Sequence, residues 1–273
     1  MNNTIQALTI AGFDSGGGAG LQADLKTFQE RFVFGTSVLT ALPVQNTQGV
    51  KSVYDVPLAA ITDQLQVIDE DFRISAVKTG MLFTGEIIQC VAGFLKDAEF
   101  GPLVIDPVMI AKGGHALLKP EAVKALVEEL LPLATVVTPN IPEAEAISGA
   151  SIGTRDEMIA AGKMIQELGA ANVVVKGGHA SGDAEAADML LLETGEVHWL
   201  SSQRIDTRNT HGTGCTFSAC ITAELAKGRS VEEAVRTGKA FIQAAIADGI
   251  QVGRGNGPTN HWAYRKVAQH EHL

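Results

Sequence analysis

The run THGTGCTFSA, Thr210 to Ala219, sets Gly212, Thr213 and Gly214 directly ahead of Cys215. It leads into a segment whose small and apolar residues recur at three- and four-residue spacing, with Gly228 as its stop. Amides at the start of a helix point outward along the positive end of its dipole, so residues 212–215 would form an anion hole. A thiol in that position would have its thiolate stabilised and its pKa lowered. The plainer reading is that Cys215 is small and buries well, which suits Cys90 and Cys220 better, since both fall inside amphipathic helices. His211, four residues before Cys215, raises a rival: a Cys–His nucleophile pair of the cysteine-hydrolase kind. No third orienting group is visible for such a pair.

Other chemistry-bearing residues stand in short clusters. GFDSGGGAG (Gly12 to Gly20) allows close backbone approach and positive φ, but it is not a clean GxGxxG and no Walker lysine follows. A structural turn and a ligand loop fit it equally. Asp24 would lie one turn inside the next helix, where an acid ordinarily complements the dipole. In QNTQG, Gln45 offers both a donor and an acceptor to the edge of a heteroaromatic ring, although a polar loop explains it too. In NIPE, Asn140 reads as a helix cap, with Pro142 and Glu143 in the first turn. Asn140 and Glu143 also suit Mg²⁺ held through its waters. Asp106 and Lys176 each end a very apolar run, and such charges are costly unless paired or exposed at a crevice.

The elements that must position these residues follow from periodicity. Residues 6–12, 37–44, 74–80, 102–108, 135–140 and 172–178 are β-branched, nearly continuous apolar runs, as expected of strands buried on both faces. Segments 19–31, 58–71, 84–98, 119–131 and 154–168 carry helical apolar spacing between them. Alternation of this kind predicts a parallel sheet covered by helices. Residues 188–202, folded about Thr194-Gly195, predict an antiparallel hairpin at the sheet edge, followed by helices at 213–227, 230–248 and 258–266. With no linker, repeat or low-complexity tract, residues 1–273 read as a single α/β domain. The polar and glycine residues fall at six strand ends, where open α/β sheets bind ligands.

Composition narrows the partners. Twenty-one basic against thirty-one acidic residues give a net charge of −10, which disfavours nucleic acid or an anionic membrane surface. Three cysteines with no CxxC spacing suggest neither a disulfide framework nor a zinc cluster. No basic n-region opens the chain and no apolar run approaches the ~20 residues of a membrane span, so a cytoplasmic protein is expected.

Taken in order, GFDSGGGAGLQADLKTF, QNTQGV, KTGML, DPVM, TPNIPEA, KGGH and NTHGTGCTFSAC resemble the hydroxymethylpyrimidine/phosphomethylpyrimidine kinases of thiamine biosynthesis, within the ribokinase superfamily. The resemblance runs from Ala7 to about Pro258. It implies a ribokinase-like three-layer sandwich. The implied reaction is ATP-dependent phosphorylation of 4-amino-5-hydroxymethyl-2-methylpyrimidine and then of its monophosphate. Cys215 falls where many superfamily members carry an aspartate base, and Gly212, Thr213 and Gly214 would supply anion-hole amides. Lys176, Asn140, Asp106 and Thr210 would attend ATP and its phosphates. Glu143 and Asp106 would position Mg²⁺, with a monovalent cation as a further candidate. Gly12, Asp24, Gln45 and Met81 match positions that line the pyrimidine, and a homodimer is implied.

The sister branch is the pyridoxal kinases that share the GxGC loop, some with a second cysteine in a lid after DPVM. This chain has Ala111 there, which together with QNTQGV favours the pyrimidine substrate. Phe13 and Pro43 depart from the family pattern, which has a smaller polar and a small apolar residue. A non-catalytic binding protein on the same fold is the remaining class, and the retention of Asn140, Glu143, Lys176 and Cys215 argues against it.

Overall fold

The computed structural model describes residues 4–109, 120–177 and 185–265. The chain runs β1 (Gln6–Ala11), α1 (Gly20–Glu30), β2 (Phe34–Leu39), β3 (Ala41–Asn46), β4 (Gly49–Asp55), α2 (Leu58–Asp71), β5 (Ala76–Thr79), α3 (Gly85–Asp97) and β6 (Leu103–Ile105). It continues through α4 (Pro120–Ala125), which widens into a π turn at Leu126–Leu130 and then tightens into a 3₁₀ turn at Leu131–Leu133, then β7 (Val136–Val137), α5 (Ile141–Ser148) and α6 (Arg155–Glu167). The last described elements are β8 (Asn172–Val175), β9 (Glu185–Leu191), β10 (Val197–Gln203), α7 (Thr213–Ala226) and α8 (Val231–Ala247).

Eight strands form one sheet in the order β10-β9-β8-β7-β6-β5-β1-β2. All neighbours from β2 to β8 are parallel, whereas β9 pairs antiparallel with both β8 and β10. Alternate residues of each strand serve opposite faces, which gives three layers. Val77, Ile105, Val137 and Val173 pack with Ile88, Leu130 and Ile165 on one side. Ala76, Val104, Val136 and Val174 pack with Phe217, Ile221 and Val235 of α7 and α8 on the other. Both faces are covered, so β5 and β8 are buried at every position, as their apolar runs demand.

Several expectations need correction. SVLTALPV (37–44) is two strands: β2 ends in the main sheet at Leu39, Thr40 turns the chain, and β3 starts a separate two-stranded sheet with β4. Thr40 bonds in both directions, its amide to Ala11 O at 3.0 Å and its hydroxyl to Met81 O at 2.7 Å. Hydrophobicity is continuous through this change of direction, so periodicity could not mark it. QNTQG is accordingly the tip of a β-hairpin and not a plain loop. Its Thr47 is tied to the later chain by the amides of Arg254, Gly255 and Asn256. The edge hairpin is longer than expected, 185–203, and turns at Gly195 with φ +87°. At 258–266 only residues 263–265 are helical before the described segment ends; Pro258 instead bridges to His211. Residue 119 and Ala111, with the rest of the lid segment beyond Met109, lie outside the described residues, as do Gly178 and His179 of KGGH. Among the described residues, no helix is long and apolar enough to cross a membrane.

Candidate active site

In the strand order, β1 and β5 lie side by side while the chain leaves β1 towards β2 and β5 towards β6, which makes the β1/β5 junction the switch point where a crevice opens. The site residues sit one step beyond the last strand pair and are held there by the sheet ladder. Gly80 N bonds Ile10 O at 2.9 Å, Asp106 N bonds Thr79 O at 3.0 Å, and Lys176 N bonds Pro139 O at 2.8 Å. The strands therefore present these side chains as a row along one edge.

Above that edge lies a cavity of about 1500 Å³. Pockets for one small ligand usually run ~300–1,000 Å³, so this one has room for a nucleotide and a second small molecule. Its lining brings together Gly12, Gln45, Met81, Asp106, Asn140, Glu143, Lys176, Thr210, Gly212, Thr213, Gly214 and Cys215. Phe13 and Pro43 also form part of the wall. Asp24, expected against the pyrimidine, is not in the lining; it is fully buried beneath the crevice, accepting from Thr9 Oγ1 at 2.6 Å and from Lys78 Nζ at 2.9 Å. Helical spacing turns Asp24 inward onto β1 and β5, while the helix terminus that it might have complemented is Gly20.

The start of α7 is built from two loops pressed together. Gly212 is the cap of α7 with φ +81°, and a Cβ on it would lie 1.8 Å from Gly18 O. Gly214 stands over the Lys176–Asp106 pair: a Cβ there would meet Lys176 Nζ at 3.3 Å and Asp106 Oδ2 at 3.5 Å. Gly212 thus lets the two loops meet, and Gly214 leaves open the space between the helix terminus and a lysine ammonium.

Asp14, which drew no attention in the sequence, organises the glycine loop. Its Oδ1 accepts from Gly16 N at 2.8 Å; its Oδ2 accepts from Gly18 N at 2.9 Å and Ala19 N at 2.7 Å, and lies 2.9 Å from His211 Nε2. His211 is therefore committed to Asp14 across the two loops, so the Cys–His hydrolase pair loses its base. Burial pushes the Asp14 carboxyl up, but His211 and the loop amides hold it below the usual carboxylate range. An aspartate one serine ahead of GGG, then a small-residue helix start, is the signal that was available.

The remaining charges form one buried system. Lys176 Nζ donates to Asp106 Oδ1 at 3.1 Å, while Ser218 Oγ donates to Asp106 Oδ2 at 3.3 Å. Burial raises the Asp106 carboxyl, yet Lys176 and then Lys78 outweigh it and keep Asp106 ionised below its ordinary value. Burial works against the Lys176 ammonium, and Asp106 and Glu143 hold it charged. Glu143 closes a capping box with Asn140: Asn140 Oδ1 accepts from Glu143 N at 2.9 Å, and Glu143 Oε2 from Asn140 N at 2.9 Å. The capping and cavity readings of NIPE therefore hold together, since Glu143 lines the cavity from the cap of α5. Burial pushes its carboxyl up, and Asp106 pushes the same way.

Cys215 requires a correction. It is partly accessible at the cavity, yet the surrounding protein desolvates its sulfur and pushes the thiol up to about 12, with Asp24 and Asp106 pushing in the same direction. Lys78 and the Gly20 amide oppose this without overcoming it. The resting group is a thiol and not the low-pKa thiolate that the helix terminus alone suggests. Lys78 itself was missed as a site residue, although a lysine in the buried strand AVKT is the same signal that singled out Asp106 and Lys176.

For magnesium, the donor set fits. Asp106 and Glu143 both face the cavity, and Mg²⁺ commonly takes one or two carboxylates and completes its shell with phosphate and water. Among the described residues there is no cluster of three acidic, histidine or cysteine side chains that would form an all-protein metal cage.

A strand-end crevice with a glycine loop at a helix terminus and a buried lysine–aspartate pair, on a mostly parallel sheet covered by helices, is the architecture of a ribokinase-like small-molecule kinase. Comparison with known proteins sharpens that class. Residues 14–260 match the family model described as phosphomethylpyrimidine kinase. The chain is 56% identical over 269 residues, 98% of this chain and 100% of the relative, to the hydroxymethylpyrimidine/phosphomethylpyrimidine kinase of Haemophilus influenzae. It is 44% identical to the Bacillus subtilis protein of that name, covering 96% of both chains. Among solved structures, a Bacillus subtilis pyridoxal kinase in complex with ADP superposes with a TM-score of 0.89 at 44% identity, covering 97% of this chain and 100% of that one. The chain belongs to the phosphomethylpyrimidine kinase family.

Proposed function

We propose that the chain transfers the γ-phosphoryl group of ATP to the hydroxymethyl oxygen of 4-amino-5-hydroxymethyl-2-methylpyrimidine, and then phosphorylates the resulting monophosphate. The observation that carries this reading is the single cavity joining the Gly212–Cys215 loop and the Lys176–Asp106 pair to a wall of Gly12, Gln45 and Met81. Relatives so named in Haemophilus influenzae and Bacillus subtilis support it, as does a Geobacter sulfurreducens thiamine biosynthesis bifunctional protein, 48% identical over 255 residues, of which this chain covers 51%.

In this reading the α7 amides and Lys176 receive the charge of the phosphoryl group in flight. Cys215 accepts the hydroxyl proton as that oxygen attacks phosphorus. A thiol near 12 leaves a thiolate fraction on the order of 10⁻⁵ at pH 7. Phosphoryl transfer has a loose transition state in which positioning and charge neutralisation supply most of the acceleration, so a sparsely ionised acceptor is compatible with it. Gln45 reads the ring edge, and Thr210 and Asn140 attend the nucleotide. Asp106 and Glu143 would hold Mg²⁺, whose charge would help neutralise the phosphates. A monovalent cation, a homodimer, a cytoplasmic location and one kinase domain over 1–273 belong to the same reading.

A second substrate reading rests on one observation: the Bacillus structure that superposes so well is a pyridoxal kinase. ATP consumption measured side by side with hydroxymethylpyrimidine, its monophosphate and pyridoxal decides between them. Turnover of both pyrimidines above that of pyridoxal is expected. Preference for pyridoxal, or nucleotide and pyrimidine binding without turnover, defeats the reading.

A further inference from the structure

Lys78 lies in β5 between Val77 and Thr79, with no exposure to solvent, yet it contributes to the cavity lining. Among the described residues one hydrogen bond accounts for it, Nζ to Asp24 Oδ2 at 2.9 Å, although an ammonium carries three donors. Asp24 Oδ2 is shared with Thr9, and Asp24 Oδ1 has no partner among the described residues. Stability alone does not require such a pair, because buried ion pairs can often be replaced by apolar residues at little cost. Gly80 explains why Nζ is left open. A Cβ there would lie 3.2 Å from Nζ, so a glycine two residues on keeps a side chain from crowding the ammonium at the strand end.

Residues 76 and 78 share the face of β5 on which α7 packs, and Cys215 is the third residue of α7. The charges around the Cys215 sulfur come from four elements: Asp24 with the Gly20 amide on α1, Lys78 on β5, Asp106 after β6 and Lys176 after β8. Two are carboxylates, which oppose a thiolate. Of the two ammonium groups, Lys176 is held by Asp106 and Lys78 by Asp24; both share the cavity lining with Cys215, and Lys78 lies on the face of β5 that α7 covers.

We propose that Lys78 is a positioning residue for phosphoryl transfer: its ammonium, tethered by Asp24, is the counter-charge that stabilises the thiolate of Cys215. This rests on Cys215 accepting the substrate proton. In that step the hydroxyl proton moves to Sγ, the freed oxygen pair forms the new bond to the γ-phosphorus, and the bond from that phosphorus to the leaving ADP oxygen breaks. The thiolate that accepts this proton forms when the resting thiol gives its own proton to water, so the step restores the thiol. Lys78 never gives up a proton; it lowers the cost of the anionic sulfur at the start of the step.

The test reads Cys215 directly on the substrate-free protein, by iodoacetamide labelling from pH 7 to 10 with the Cys215 peptide quantified by mass spectrometry and buried Cys220 as internal control. Asp24→Asn is compared with Asp24→Asn/Lys78→Met, so that no buried carboxylate is left unpaired. The double variant is expected to label Cys215 about tenfold more slowly at pH 9, the change that one pH unit in the thiol brings, and Asp24→Asn/Lys78→Arg to regain most of that rate. Should the Met variant fail to fold, Asp24→Asn/Lys78→Gln, which keeps a long stem and a polar tip without the charge, takes its place against Asp24→Asn with the same expected loss of rate. Rates differing by less than about threefold in the comparison used overturn the proposal, since a purely structural lysine would leave thiol reactivity alone. The labelling needs no substrate, so it succeeds or fails independently of whether the pyrimidine is the acceptor.

Discussion

Replacing Gly212 by alanine tests how closely the anion hole depends on the contact between its two loops. The added Cβ would lie 1.8 Å from Gly18 O, 2.8 Å from Gly18 C and 3.1 Å from Ala19 Cα, all backbone atoms that cannot rotate away. The loops must part by more than 1 Å, and both are pinned: Gly18 and Ala19 to Asp14, and His211 to Gly257 O at 3.0 Å. A φ of +81° adds the ordinary left-handed strain of about 1 kcal/mol. Misplacement on this scale costs roughly 10²-fold in rate, and loss of one donor to developing negative charge costs about 10²–10³-fold. We therefore expect kcat/KM to fall at least about 10²-fold and stability to fall by about 2–4 kcal/mol, the overpacking range with the strain added. Gly228→Ala supplies the control, because it has φ +77° with nothing within 4 Å of its Cβ and should lose only about 1 kcal/mol and no activity. Coupled ATP-turnover kinetics and urea unfolding read both quantities. Gly212→Ala with activity within about tenfold of the wild type would refute the reasoning.

Two other changes follow from the same geometry. Asp14→Ala strands three loop amides and the His211 ring, so a loss of about 3–5 kcal/mol is expected in urea unfolding, with kcat/KM falling as the loops separate; a loss below about 1 kcal/mol would show that the carboxylate does not hold the loops. His261 is buried beside Thr216 Oγ1 at 3.0 Å, and burial pulls its pKa from 6.5 to about 4. The unfolded chain therefore takes up this proton first, so its contribution is whole above pH 6.5 and drains by about 3 kcal/mol as pH falls to 4. His261→Gln should flatten that part of the stability profile, and parallel profiles would exclude His261 as its source.

Periodicity and strand-end chemistry reveal much of this molecule because both are local. Buried parallel strands must be apolar throughout, so β1, β5, β6 and β8 announce themselves, and polar residues at their ends mark the crevice. What is illegible depends on three-dimensional neighbours. The break at Thr40 leaves no change in hydrophobicity. Asp24 and Lys78 stand 54 residues apart in the chain, yet in space they pair beneath the crevice, which neither residue's flanks disclose. The thiol of Cys215 is the sharpest case. Its position at a helix terminus is readable and argues for a low pKa, whereas the desolvation and the two carboxylates that raise it belong to the packed sheet. Asn140 was readable as a cap because capping is itself a local hydrogen-bond pattern.

The most direct test of the account is ATP turnover stimulated by hydroxymethylpyrimidine in the wild type and in Cys215→Ala, measured at saturating ATP. Loss of a positioned proton acceptor is worth about 10²–10⁴-fold, so the account predicts a fall of that size in kcat with the KM for ATP little changed. Undiminished turnover in Cys215→Ala would contradict it and remove the cysteine from the proton-transfer step.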